Sequence, residues 1–186
     1  RVVTPIHSPI QSPIQSPVAL PLLAAESYYE STGQNWERAA MIKARPVAGN
    51  IQLGEQFLEH ISPFVWRKAL DYAAIDDVHA ITRQIRAQQK AGPFSVDGHN
   101  VKLGRGGIRE IEFFVQTEQM IAGGRDRRLR VSPTLDVLER LVDTGHIDQA
   151  ARTGLSDAYR FLRAVEHRLQ MVNDEQTQDI PTQEEQ

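Results

Sequence analysis

The sequence predicts a mainly α fold, a helical bundle with one small β-hairpin, and three observations carry that expectation. Apolar residues recur at spacings of three and four over most of the chain, the period of a helix with one buried face. Glycine or proline stands at the ends of most of these runs, where helices stop. One long break, residues 92–107, carries the turn dipeptides of a hairpin instead. Composition agrees: of 186 residues, 40% are hydrophobic and 24% charged, the balance of a chain that folds around one large core or two small ones.

Residues 1–20 hold a Ser8-Pro9-Ile10-Gln11, Ser12-Pro13-Ile14-Gln15 repeat, and proline at every fourth position denies both helix and ladder bonding, so this stretch is expected to be extended or disordered. From Pro21 onward, Leu22, Leu23, Ala24, Ala25, Tyr28 and Tyr29 begin a helix that Gly33 ends. A second helix is predicted from Asn35 to Ala44, stopped by Pro46. A third runs from Asn50 to His60 and ends at Ser62-Pro63. Beyond it Trp66, Leu70, Ala73 and Ala74 mark another apolar face, and Val78, Ile81 and Ile85 continue it after Asp76-Asp77, an acid pair suited to a helix start.

The hairpin is placed with strands at Phe94 to Val96 and Asn100 to Leu103 around an Asp97-Gly98 turn. Helical spacing returns with Ile108, Ile111 and Val115, until Gly123-Gly124 closes the run. Ser132 as N-cap and Pro133 at the first helical position open a helix with Leu135, Leu138 and Val142 on one face and Gly145 at its end. The last helix carries Leu155, Ala158, Leu162, Val165, Leu169 and Val172 as a bundle seam, leaving Arg160, Arg163 and Gln170 elsewhere on the surface.

Several function classes are excluded or left without support. Net charge is −3 and the pI near 6.1, so the chain lacks the overall positive field of a nucleic-acid binder, and any anion site is local. Absence of cysteine rules out disulfides, thiolate metal sites and a cysteine nucleophile. His7, His60, His79, His99, His146 and His167 show no metal-ligand spacing, and no metal is assigned to them. No serine sits in a nucleophile elbow. With no apolar run near the roughly 18 residues of a membrane span and no signal-peptide pattern, a cytoplasmic protein without a membrane anchor is expected. Arg1 at the start and the plain Ile180 to Gln186 end predict a piece cut from a longer chain.

Three stretches bear on chemistry. In Lys102 to Phe113, glycines let backbone approach a ligand, the following helix start adds partial positive charge, and Lys102, Arg105 and Arg109 complement phosphate. The spacing is neither a dinucleotide fingerprint nor a P-loop, and an ordinary glycine turn is the competing reading. Along the same helix Arg109, Glu112 and Gln116 form a polar stripe that faces either a ligand or solvent, while Glu110 and Glu112 diverge. Trp36 to Arg45 brings Arg38, Lys43 and Arg45 together, either to hold an anion or as an amphipathic helix with a Trp36 anchor and a basic C-terminal end. Arg125 to Arg130 holds four arginines and no aromatic for base stacking, so it reads as a solvated loop or a site for an acidic partner.

Three ordered blocks carry a family resemblance. Tyr28-Tyr29-Glu30, Gly33-Gln34-Asn35-Trp36-Glu37-Arg38 and Ile42 to Gly49 resemble the segment that closes the first nucleotidyltransferase domain of the glutamine synthetase adenylyltransferases. Lys102 to Gln116 is similar to that family's most recognisable signature, and Tyr159 to Gln170, followed by Asp174, Gln176-Thr177 and Ile180-Pro181, is similar to a further block. The resemblance implies a large bifunctional enzyme with two DNA-polymerase-β-like α+β domains, each followed by a helical domain. In such an enzyme the C-terminal half transfers AMP from ATP to a tyrosine of glutamine synthetase. The N-terminal half removes it by phosphorolysis, under control of PII-type signalling proteins and glutamine. Its Gly-Ile-Arg-Glu-Ile-Glu version of the signature resembles the AMP-removing half.

On that basis residues 21–107 would close the nucleotidyltransferase domain and 108–186 begin the helical linker. Mg2+ and ATP or ADP are expected in the full-length enzyme. The family's Gly-Ser and paired-aspartate motif is expected upstream of Arg1, so no catalytic or metal-binding residue is assigned, and the fragment is expected to be inactive alone. Lys102, Arg105, Arg109, Glu112, Lys43 and Arg45 are carried as nucleotide- or phosphate-binding candidates. A non-catalytic helical interaction module and a related uridylyltransferase remain as alternatives.

Overall fold

Seven α-helices make up the described part of the chain: Leu22–Ser31 (α1), Asn35–Met41 (α2), Ile51–His60 (α3), Ser62–Val65 (α4), Ile108–Ala122 (α5), Thr134–Asp143 (α6) and Gln149–Met171 (α7). A 3₁₀ turn at Arg127–Leu129 joins α5 to α6. The structure is a computed structural model and describes residues 20–69, 72, 76, 80, 96–172 and 176–182. The Ser-Pro repeat therefore lies outside the described residues, as does most of the apolar face expected from Leu70 to Ile85. Tyr72, Asp76 and Ala80 are described there, and each is helical.

Local chemistry explains where these helices begin and end. Gln34 and Glu37 form a reciprocal capping box on α2, with the Gln34 N–H donating to Glu37 Oε2 at 2.8 Å. Asn50 caps α3 by accepting from the Leu53 N–H, and Asp148 caps α7 by accepting from the Ala151 N–H. After α6, the Gly145 N–H reaches Val142 O and the His146 N–H reaches Leu141 O, a Schellman closure that needs the left-handed φ of +76° only glycine adopts freely.

Two buried clusters result. Ile42, Ile61, Phe64, Val65 and Met120 form the first, with Tyr29, Phe57 and Trp66 packed against it. Val115, Ala122, Leu129, Val137, Leu138 and Leu141 form the second, beneath α7 through Leu155. Helix α5 serves both, because Met120 and Val115 point to different neighbours. Arg38, only 1% exposed, links the first cluster to α5: its Nε donates to Val65 O at 2.7 Å and its terminal nitrogen to Met120 O at 2.9 Å. A cation at these last-turn carbonyls meets groups that helix bonding leaves unpaired, and complements the helix dipoles.

Several expectations are corrected. The hairpin does not form in the described residues: 101–103 are turn, and Asn100 bridges to Asp179, 79 residues away. Asn100 Oδ1 accepts from the Lys102 and Leu103 N–H groups, a local competition that turns the chain out of a ladder, while residues 178–180 pair with 98–101 instead. Phe94, at the hairpin's start, lies outside the described residues. With no strand among the described residues, the α+β nucleotidyltransferase fold has no β element in this part.

Helix α2 stops at Met41 rather than Ala44 because the Lys43 and Ala44 N–H groups reach back three residues, to Ala40 O and Met41 O, and tighten the last turn. Trp36 is 44% exposed and is no anchor; Arg38 takes the buried position of that helix. In α7, Leu155, Leu162 and Leu169 are half-buried as a seam, whereas Ala158 and the C-cap residue Val172 of the expected seam are exposed, and Arg163, partly exposed, pairs with buried Glu166. Boundaries also shift by a residue or two: Pro133, not Ser132, is the N-cap of α6, and Ser62-Pro63 opens α4, where proline's missing N–H costs nothing. Among the described residues no helix is long and apolar enough to cross a membrane.

Candidate functional site

Helix α5 presents Arg109, Glu112 and Gln116 one turn apart, and the turn after α2 brings Lys43 over the same face. Ser132 and Thr134 at the start of α6, with Tyr159 from α7, close a cleft of about 330 Å3 around them. Lys43 is half-buried, and its Nζ donates to Ser132 O and, at 3.5 Å, lies near Thr134 Oγ1. Burial pushes the Lys43 ammonium below its usual pKa, partly offset by the Glu112 carboxylate.

Glu112 is held from two sides. Its Oε2 accepts from Arg109 at 3.3 Å and its Oε1 from the Tyr159 hydroxyl at 3.4 Å. Burial raises the Tyr159 pKa; a hydrogen bond with Thr134 pulls the other way, and the nearby Glu112 carboxylate adds to the rise. Arg109 also stacks its guanidinium 5.5 Å over the Phe113 ring, and its Nε is buried without a partner. Gln116 is 9% exposed, lines the cleft, and its side-chain amide makes no hydrogen bond among the described residues.

Of the six residues singled out in the sequence, Lys43, Arg109 and Glu112 thus share one cleft. Lys102 goes elsewhere: its Nζ lies 3.6 Å from Oε1 of Glu166, which is buried and also takes Arg163 on its other oxygen. That pairing pins the glycine bend to α7. Arg105 and Arg45 are both exposed and line neither this cleft nor the smaller one beside α1. Backbone donors of the bend are engaged within the chain: Gly107 donates to Gly104 O, Ile108 to Val101 O, Arg109 to Lys102 O, and Gly106 to the Glu110 carboxylate.

Thr134 and Tyr159 reach the cleft from helices that sequence spacing gave no reason to connect. The signal that existed was the polar line Tyr159, Arg163, Glu166 at i, i+4 and i+7 along α7, beside the leucine seam. Among the described residues no group of three His, Asp or Glu could hold a metal ion, and Glu112, the one acid lining the cleft, has both oxygens engaged. The cleft does not fit Mg2+.

Sequence comparison adds the decisive observation. The profile of a family described as Glutamate-ammonia ligase adenylyltransferase matches residues 12–60, and one described as GlnD PII-uridylyltransferase matches residues 78–186. The chain is 60% identical over 165 residues to the "Bifunctional glutamine synthetase adenylyltransferase/adenylyl-removing enzyme" of Rhizobium meliloti (strain 1021). It is 61% identical over 166 residues to the protein of that name from Brucella melitensis, and 61% over 165 residues to that from Agrobacterium fabrum. The chain belongs to the glutamine synthetase adenylyltransferase/adenylyl-removing enzyme family. Its residues 78–186 also belong to the domain family of the uridylyltransferase profile.

Each of these alignments covers 89% of this chain but only 17% of the relative, so the chain spans about a sixth of the length of the curated relatives it matches. In this member of the adenylyltransferase family the cleft draws on both matched segments. Lys43 comes from the first, and Arg109, Glu112, Gln116, Thr134 and Tyr159 come from the second.

Proposed function

We propose that this chain is a segment of an enzyme that adds AMP to glutamine synthetase and removes it, and that it comes from the AMP-removing half, where it supports binding of the phosphate groups. The observation that carries the reading is the meeting of Lys43 and Arg109 on one cleft, in a chain about 60% identical to relatives with that name. In phosphorolysis an oxygen of orthophosphate attacks the AMP phosphorus, the bond to the tyrosine oxygen breaks, and ADP leaves. Lys43 and Arg109 hold and orient oxyanion charge in a place partly shielded from water, where such charges attract more strongly. Lys102 braces the bend through Glu166. Exposed Arg105 and Arg45 add positive charge for a nucleotide once the remainder of the enzyme is in place.

On this reading residues 21–107 close the nucleotidyltransferase domain and 108–186 open the helical linker. Mg2+ would be held elsewhere in the full-length enzyme, where it would supply charge neutralisation of phosphate oxygens, and no residue of this cleft is assigned to it. Glutamine synthetase is the protein substrate, a PII-type protein is the regulator, and the cytoplasm is the compartment.

The test uses the full-length enzyme with Arg109→Ala. ADP release from adenylylated glutamine synthetase in the presence of phosphate is expected to fall at least about tenfold, while transfer of AMP from ATP stays near wild type. Unchanged ADP release would overturn the reading. A second reading has one specific observation in its favour, the uridylyltransferase profile over residues 78–186. Incorporation of UMP from UTP into a PII-type protein by the same enzyme would favour it.

A further inference from the structure

The start of α6 enters the cleft without a cap. Pro133 at the N-cap has no side-chain acceptor, and no side chain caps the first turn of this ten-residue helix. Asp136, in that first turn, is exposed and does not line the cleft. Partial positive charge at a helix start therefore faces a concavity that already holds Lys43 and Arg109.

A second, independent feature points to an occupant. Gln116 is more than nine-tenths buried, lines the same cleft, and leaves its amide without a hydrogen bond among the described residues. Arg109, which lines the same cleft, has its Nε buried without a partner, and native proteins rarely leave such a donor unmet unless something else reaches it. Lys43 has three donors, of which Ser132 O and Thr134 Oγ1 account for two, both at the α6 start. Lys43, Gln116 and the residues that open α6 line one cleft. Glu112 is the one acid there, and Arg109 and Tyr159 already engage its two oxygens.

We infer that this cleft is a binding site for one phosphoryl oxyanion, seated on the N-terminus of α6 and gripped by Lys43, Arg109 and Gln116. At about 330 Å3 the cleft falls at the small end of ligand pockets, large enough for a free phosphate with its waters or the phosphate end of a nucleotide. Both sources share the recognised chemistry. The inference deepens the function proposed above and rests on it only for which phosphoryl compound arrives; the site itself stands on the geometry.

Isothermal titration of the 186-residue chain with orthophosphate, AMP and ADP tests it, on wild type and on Lys43→Met, Gln116→Leu and Glu112→Gln. Orthophosphate or a nucleotide is expected to bind wild type, with affinity lowered about tenfold by Lys43→Met and about fivefold by Gln116→Leu. Glu112→Gln removes the opposing charge and is expected to tighten binding several-fold, a gain that misfolding cannot mimic. Orthophosphate binding as tightly as AMP assigns free phosphate as the source, and AMP or ADP binding more tightly assigns a nucleotide; either supports the site. No binding by wild type or Glu112→Gln up to ~50 mM, or affinities indifferent to Lys43→Met and Gln116→Leu, would overturn it. The two proposals fail separately. Loss of ADP release in Arg109→Ala without any binding in the cleft leaves the function and removes the site, whereas binding with normal ADP release does the reverse.

Discussion

The loop from Arg125 to Arg130 carries four arginines and the cleft behind Lys43 only two cations, yet the poorer region is the better candidate for a ligand. In the loop, Arg125 donates to Lys68 O, Arg128 grips Asp126 through two nitrogens, and Arg130 binds Gly123 O and Gly124 O while lying over Trp66. The Arg128 fork holds the Asp126 carboxyl down to about 2. Gln119 ties the same loop from inside, donating to Leu129 O and Val131 O. The stretch is a solvated loop, one of the two readings expected of it, with Arg125, Arg127 and Arg128 exposed, and through Arg130 and Gln119 it also braces the α5 to α6 connection. In the cleft the opposite holds: an amide, a lysine donor and a helix start face space. Positive charge signals a ligand where its partners are incomplete, and density of arginine in the sequence does not measure that.

The comparison can be broken by removing arginines that serve the fold. Arg38→Ala strips donors from two buried carbonyls and opens a void between α2, α4 and α5, so urea unfolding is expected to show a loss of about 2–4 kcal/mol. Lysine is not expected to restore it, since one ammonium cannot reproduce the fork reaching Val65 O and Met120 O. Arg130→Ala should cost less, about 1–2 kcal/mol in the same measurement, and leave phosphate binding unchanged. A loss of phosphate binding in Arg130→Ala would place the ligand on the loop and reverse the assignment.

The smallest effect belongs to the exposed pair of His60 and Glu26. The hydrogen bond with Glu26, then its charge, raise the His60 pKa above the ordinary 6.5. A raised folded-state value stabilises the fold fully below pH 6.5 and loses that contribution as pH rises through the raised value. The thermal midpoint of wild type should therefore fall slightly more than that of His60→Gln between about pH 6 and 8. Equal slopes would show that the pair adds nothing.

Much of the helical frame was legible because its signals are local. Asn50 and Gly145 announce helix ends by their own chemistry, and the Ile108, Ile111, Val115 spacing fixes the buried face of α5. Arg38 was illegible as a core residue, since its acceptor Met120 lies 82 residues away and nothing nearby in sequence marks it as buried. The hairpin failed for a related reason: Asn100 has a local alternative in its own side chain, and its backbone partners come from residues 178–180. For the site, the Arg109, Glu112, Gln116 stripe was readable as a stripe, but only packing against α6 and α7 shows that it faces a cleft. Lys102 and Lys43, alike as lone basic residues, diverge because a buried carboxylate on α7 captures one of them.

Amide NMR of the 15N-labelled chain, titrated with orthophosphate, compares the cleft and the arginine loop in a single measurement. Shifts concentrated on the Thr134, Leu135 and Asp136 backbone amides and on the Gln116 side chain are the expected result. Shifts centred on residues 125–130, or on the glycine bend at 104–107, would contradict it.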